Sequence, residues 1–183
     1  LPRLRDALTD EGVPGAHRGD TDAVGVIVIE GAAAALHVAG YLRDDICHLP
    51  IAFEHAATVV GPLVVPGQTP CLSCRDAGET ARDSAWPLLH SQLVGRPPSQ
   101  VALARVAEAA TLVPRVLRAT RPGRGLTVRI KPDGHRSWRW VRPHAECLCL
   151  EPSSRSPQES ATELARLDPP IATTTSRAYA RPA

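Results

Sequence analysis

No methionine occurs among the 183 residues, and lysine occurs once, at Lys131. With a first residue of Leu1, the missing methionine leads to the expectation that this is a segment of a longer protein. The missing lysines leave arginine with nearly all the positive charge, which together with abundant Ala and Pro fits a GC-rich coding genome. No basic-then-apolar leader opens the chain. No apolar run approaches the roughly 20 residues that cross a bilayer, the longest candidate being "AVGVIVI", Ala23 to Ile29. No membrane association is therefore expected, and a cytoplasmic location follows by default. A Gly-x-Gly-x-x-Gly loop is also missing, so no row of backbone N–H groups is offered to a nucleotide's phosphates. Charge of one sign is scarce as well: 21 basic against 19 acidic residues leave a formal net charge of +2, too little to draw the chain to nucleic acid or to an acidic membrane.

What is present is one domain's length with 43% hydrophobic residues, enough to bury a core. Residues 1–20 are polar and punctuated by Gly12, Pro14, Gly15 and Gly19, and read as the remnant of a missing N-terminal part. "AVGVIVI" is continuous and β-branched, the pattern of a strand covered on both faces in a parallel sheet. "AAAALHVAGYLRDD" follows as a helix with Leu36, Ala39, Tyr41 and Leu42 near one apolar side. "CHLPIAF" then resumes extended character and completes a β-α-β unit. "EHAATVVGPLVVPG" reads as a turn and a short strand, with the cysteines of "TPCLSCRD" in the loop beyond it. A short helix over Arg82 to Leu93 is expected to break near Pro87. Ser99 is expected to cap the long helix after Gln100, and Pro114 to kink or shift that helix. "LTVRIKPDGHRSWRWVRPH" reads as a hairpin turned at Pro132-Asp133-Gly134. Residues 151–183 are rich in Ser, Thr, Pro and Ala and are expected to be a disordered tail, with at most a helical turn at "TELARL".

Four of the five cysteines form two close pairs, Cys71-x-x-Cys74 and Cys147-x-Cys149. Zinc takes four thiolate or imidazole ligands at about 2.3 Å for sulfur, and each pair can supply two of them from one short segment. Reduced core cysteines are the plainer alternative, and a thioredoxin-like redox pair would leave the second pair without a role. Four protein ligands leave no open position, so such a metal is structural and not catalytic. Cys47, alone at a strand start, reads as packing, and His144 as a hydrogen-bonded or surface histidine. "WRW", Trp138 to Trp140 among Arg136, Arg139 and Arg142, could stack on nucleic acid, but reads better as a strand with Trp on one face and Arg on the other. His90 and Asp83 have no nucleophile assignable to them, and no catalytic residue is expected.

The run "HLPIAF", "VVGPLVVPGQTPCLSCRD", "RDSAWPLLHSQL", a long Ala/Val/Leu helix, a hairpin and "RPHAECLC" resembles the C-terminal half of the ThiF/E1-like superfamily. It is most similar to the E1-like proteins of bacterial clusters for thiazole/oxazole-modified peptides, the ThiF-like cyclodehydratase partner or leader peptide-binding proteins. The resemblance spans roughly residues 20–150 and implies structural zinc on Cys71, Cys74, Cys147 and Cys149. Adenylating members carry a Gly-rich loop and a metal-binding Asp at a strand end, where this chain has Glu30 and Gly31. The implied role is a non-adenylating partner that does not bind ATP in this segment. It would recognise a precursor's leader peptide through an N-terminal element and support an ATP-using cyclodehydratase partner protein. A homodimer is compatible with this role.

The expected fold is thus α/β, a fragment of an E1-like, Rossmann-type domain. It has a short parallel sheet, flanking helices and a C-terminal β-hairpin stapled by zinc over residues 21–150. Two alternative functions stay open. One is an ATP-dependent adenylyltransferase acting on a sulfur-carrier or peptide C-terminus, its nucleotide loop lying outside this segment. The other is a zinc-ribbon binding module.

Overall fold

The computed structural model describes residues 2–15, 23–150 and 171–174. The expected helical turn at "TELARL" lies outside the described residues, as does most of the expected tail.

Residues Val24–Glu30 form β1, in which every residue but Glu30 is buried. Its side chains alternate between two cores: Val24, Val26 and Val28 on one face, Ile27 and Ile29 on the other. β2 (His48–Phe53) is buried throughout and pairs parallel to β1, so the β-α-β unit is present. Its crossover is slighter than the sequence suggests. A 3-10 turn at Ala35–His37 precedes a five-residue α2 (Ala39–Arg43), and Leu36 is exposed. The Ala34 N–H donates to His37 Nδ1 at 3.0 Å, a local bond that competes with continuous helix at this point.

β3 (Thr58–Val60) returns antiparallel to β2. The four residues between the two strands are too few for a crossover, which needs a dozen or more. β4 (Gly125–Ile130) and β5 (Arg136–Val141) make the expected hairpin. Asp133 accepts from the His135 N–H at 2.9 Å, and Gly134 takes φ +80°, which glycine reaches without a Cβ clash. The sheet order is β5-β4-β3-β2-β1-β6. Among the described residues only the β1–β2 and β1–β6 pairs are parallel, so the expected parallel sheet is a mixed one. β6 (Ile171–Thr174) lies within the segment expected to be a tail.

Two helices cover one face of the sheet. α5 (Leu103–Ala119) runs through Pro114 and buries Val106, Ala109, Ala110, Leu112, Val113, Val116 and Leu117. Its N-cap is Ala102, so Ser99 does not cap it. The Arg105 guanidinium instead ties the first turn to the β2–β3 connection, donating to Thr58 Oγ1 at 3.0 Å and to the carbonyls of Glu54 and Ala57. Against α5 packs α1 (Pro2–Asp10), in the region expected to be a loop-like remnant. Leu4 and Leu8, one helical turn apart, are 1% and 2% exposed, and this i, i+4 spacing is what makes the segment a docked helix. On the opposite face stand α3 (Leu72–Thr80) and α4 (Trp86–Leu93). Pro87 lies in the first turn of α4, where its missing N–H has no intrahelical partner to lose. It starts this helix instead of breaking it.

Candidate metal centre

After β3 the chain turns on Gly61, whose φ of +88° and close approach to the Leu126 carbonyl leave no room for a side chain. An isolated bridge between Val64 and His48 then aligns the segment. Thr69, fully buried, locks the turn at Pro66-Gly67: its Oγ1 accepts from the Val65 N–H at 2.7 Å and donates to the Leu63 carbonyl at 3.0 Å. This delivers Cys71 to the N-cap of α3, with Cys74 inside the first turn. The C-x-x-C therefore starts a helix and is not held in a loop. Residues three apart share a helix face, so both sulfurs point the same way. The helix N-terminus also favours negative charge there.

The second pair arrives from the far end of the hairpin. Beyond Val141 the chain turns at His144, whose carbonyl accepts from the Cys147 N–H at 3.0 Å. The Gly67 N–H donates to the Cys149 carbonyl at 3.1 Å, and the His144 N–H points at Cys74 Sγ, 3.4 Å away. The Sγ atoms of Cys71 and Cys147 lie 3.6 Å apart, those of Cys74 and Cys149 3.5 Å apart, and all four fall within 4.8 Å of one another. None of these cysteines is in a disulfide.

The four sulfurs could hold a metal ion. In a tetrahedral zinc site with sulfur at about 2.3 Å, neighbouring sulfurs are about 3.8 Å apart, and the observed spacing fits that set. The proton chemistry of the bare cluster fits as well. Bonds from Cys149 and then Cys74 hold the Cys71 thiol far below its ordinary range. Cys74 receives a bond from Cys149 that acts downward, but its own bond to Cys71 and its burial push it up to about 11. Cys149 is raised by its bonds to Cys71 and Cys74. Sulfurs this close cannot all ionise unaided, because adjacent like charges repel, and a cation at their centre removes that conflict. All four residues singled out in the sequence are thus brought together.

Cys47 is 6% exposed and belongs to the main core. His144 Nδ1 accepts from the Glu146 N–H at 3.3 Å and is no member of the cysteine cluster. His48 was not singled out by the sequence reading. It is fully buried, with Nδ1 2.8 Å from the Ile46 carbonyl and the charge of Cys71 acting on it. Burial lowers its pKa, against the opposing pull of Ile46 and Cys71. A lone histidine in the apolar "HLPIAF" is the signal that could have found it.

At the C-terminal end of β1 Glu30 is exposed, while Gly31, Ala32 and Ala33 beyond it are buried. The Ala32 N–H donates to the Leu93 carbonyl at 3.3 Å, and His90 Nε2 lies 2.9 Å from the Ala33 carbonyl. Gly31, at φ +108°, packs so tightly on the loop after α4 that a Cβ would come within 2.9 Å of the Arg96 carbonyl oxygen. On β5, Trp138 and Trp140 share one face, 40% and 41% exposed. Arg115 lies 4.9 Å over the first ring and Arg124 4.0 Å over the second. Arg139 faces the other way, toward Glu79 of α3. The apolar side of α5 from Val106 to Leu117 is buried in the core, whereas Leu103 at its start is exposed. Among the described residues, no helix is long and apolar enough to cross a membrane.

No family model matches the chain, and no curated protein matches it. Solved structures do share its fold. A heterocyclase in complex with substrate and cofactor aligns over 81% of this chain and 23% of its own, with TM-score 0.55 and 18% identity. A chain of the E. coli microcin synthetase McbBCD complex aligns over 81% of this chain and 65% of its own, with TM-score 0.59 and 13% identity. The chain therefore spans less than two thirds of each of these two proteins.

Proposed function

Starting from a fold shared with a heterocyclase and with a chain of a microcin synthetase complex, we propose that this chain is the E1-like, non-adenylating component of a cyclodehydratase. Its system would install thiazole or oxazole rings in ribosomal peptides. The observation that carries the proposal is that fold together with the four-cysteine cluster, at the positions where the resemblance puts a structural zinc. Zinc on Cys71, Cys74, Cys147 and Cys149 would join α3 to the end of the hairpin and hold the fold without reacting. Within this reading the longer protein binds the precursor's leader peptide and docks an ATP-using partner protein.

Two features support a role without adenylation. This segment carries no Gly-x-Gly-x-x-Gly loop, and the backbone of Leu93 and Arg96 packs on Ala32 and Gly31 just beyond β1. Trp138 and Trp140, half-exposed beside Arg115 and Arg124, are the anchors we assign to the protein partner, since Trp and Arg dominate interfaces.

The test is reconstitution of the longer protein with its cluster-encoded ATP-using partner and precursor peptide, read by mass spectrometry as loss of one water per ring. Ring formation that requires this protein, without ATP–pyrophosphate exchange by this protein alone, is the expected result. Exchange activity abolished by a substitution within the chain would instead favour the adenylyltransferase. Pull-down of the partner should weaken with Trp138→Ala and Trp140→Ala, and unchanged capture would move the interface elsewhere.

A further inference from the structure

A second polar site lies beside the cysteine cluster, on the face of the sheet opposite α5. There the β4–β5 hairpin and the α3–α4 pair enclose a cavity of about 220 Å3, lined among others by Glu54, Arg75, Trp86, Thr127, Arg129 and Arg139. It shares Arg75, Glu79, Thr127 and Arg139 with a groove of about 550 Å3 that runs past Arg82 and Arg142 to Cys74 and His144. The strand register explains why these groups converge. Thr127 sits directly opposite Arg139, and Arg129 opposite Ser137, so all four side chains rise on one face.

Two polar atoms at this cavity have no partner. Trp86 Nε1 and Thr127 Oγ1 are both buried without a hydrogen bond, and Thr127 as a whole is 7% exposed. An indole N–H can only donate, and a buried donor without an acceptor is costly enough that native folds seldom keep one. The Arg139 guanidinium reaches only to 3.7 Å from Glu79 Oε2, beyond hydrogen-bond distance. Glu79 is also shared with Arg82 at 3.2 Å. Arg129 is paired with Glu54 at 2.8 Å and Arg75 with Asp76 at 2.7 Å. After these pairings positive charge remains around the cavity and groove, on Arg139 and Arg142. The common lack at the site is therefore an acceptor carrying negative charge.

We propose that this cavity binds an oxyanion, a carboxylate or phosphate group, with Arg139, Trp86 Nε1 and Thr127 Oγ1 as its donors. The proposal does not rest on the cyclodehydratase role. Arg75 and Arg129 are held in place by their own carboxylates and give the walls their charge, while Arg139 is the guanidinium left able to turn onto a ligand.

The experiment is calorimetric titration of the metal-loaded protein with inorganic phosphate and, separately, with glutarate, each at ionic strength matched with sodium chloride. Saturable binding is expected for at least one probe. Phosphate alone would identify a phosphate-bearing ligand, glutarate alone a carboxylate-bearing one, and both the shared chemistry. Arg139→Gln should weaken binding about tenfold or more, since a charge-assisted bond is lost. Trp86→Phe and the near-isosteric Thr127→Val should each weaken it by a smaller factor, about three- to tenfold. Thr127→Val keeps the charge and shape of the cavity, so its effect separates a donor role from misfolding. No saturable heat with either probe, or an affinity unchanged in Arg139→Gln and Thr127→Val, would overturn the proposal.

Discussion

Replacing Cys74 with Ser tests the metal reading at the ligand that lies inside α3. Cys74 and Cys149 are 75 positions apart in sequence, so a metal joining them closes a long loop that contains α4, α5 and the hairpin. Treating the metal as a cross-link, the loop-closure entropy removed from the unfolded chain at this length amounts to about 4.5 kcal/mol. A chain of this size shifts its midpoint by about 2–4 °C per kcal/mol. Loss of the closure should therefore lower Tm by roughly 9–18 °C. The assay is scanning calorimetry of wild type and Cys74→Ser under reducing conditions, with and without chelator, alongside metal analysis. Wild type should hold one zinc per chain and fall toward the variant's Tm when the metal is stripped. The variant should hold less metal and respond little to chelator. If the four cysteines were only buried apolar groups, Cys74→Ser would cost little and chelator would move neither protein. A wild type without stoichiometric zinc, or a variant melting within about 2 °C of it, would refute the reasoning.

Leu4→Ala should cost about 2–5 kcal/mol, because a fully buried leucine is removed from the α1–α5 contact. Urea denaturation measures this, and a loss below about 0.5 kcal/mol, the usual surface value, would mean that α1 is not docked. Gly31→Ala should cost about 1–3 kcal/mol from its positive φ and separate the loop at Arg96 from the strand end. Faster amide exchange at Ala32 would report that separation, and unchanged exchange would count against it. His48 sets a pH dependence. Its folded pKa is lowered by burial, so its contribution is complete above the unfolded value of about 6.5 and is lost as pH falls from there through the folded value. Stability should therefore drop below about pH 6.5. His48→Gln should flatten that part of the curve, and an unchanged slope would exclude His48 as its source.

The elements differ in how far their sequence alone determined them. β1 was legible because an unbroken β-branched run has one stable setting, covered on both faces, and the hairpin because Pro132-Asp133-Gly134 carries its own turn chemistry. The four cysteines were legible as a set because paired spacing is a local property. Their convergence within 4.8 Å is a tertiary fact, produced by the Thr69 lock at one end and by the hairpin's register at the other. Residues 2–10 hid a helix behind a polar composition, since two leucines make an apolar face only once α5 supplies a surface to cover them. Ser99 had the chemistry of a cap but stood three residues too early, and Arg105 anchored α5 through carbonyls that only the folded β2–β3 turn presents. The strand directions of the sheet were likewise undecided by pattern, because a buried strand reads the same in either direction. The unpartnered Trp86 and Thr127 were beyond any sequence signal. A hydrogen bond is missing only relative to neighbours, and those neighbours come from β3, β4, β5, α3 and α4, which the chain brings together only when folded.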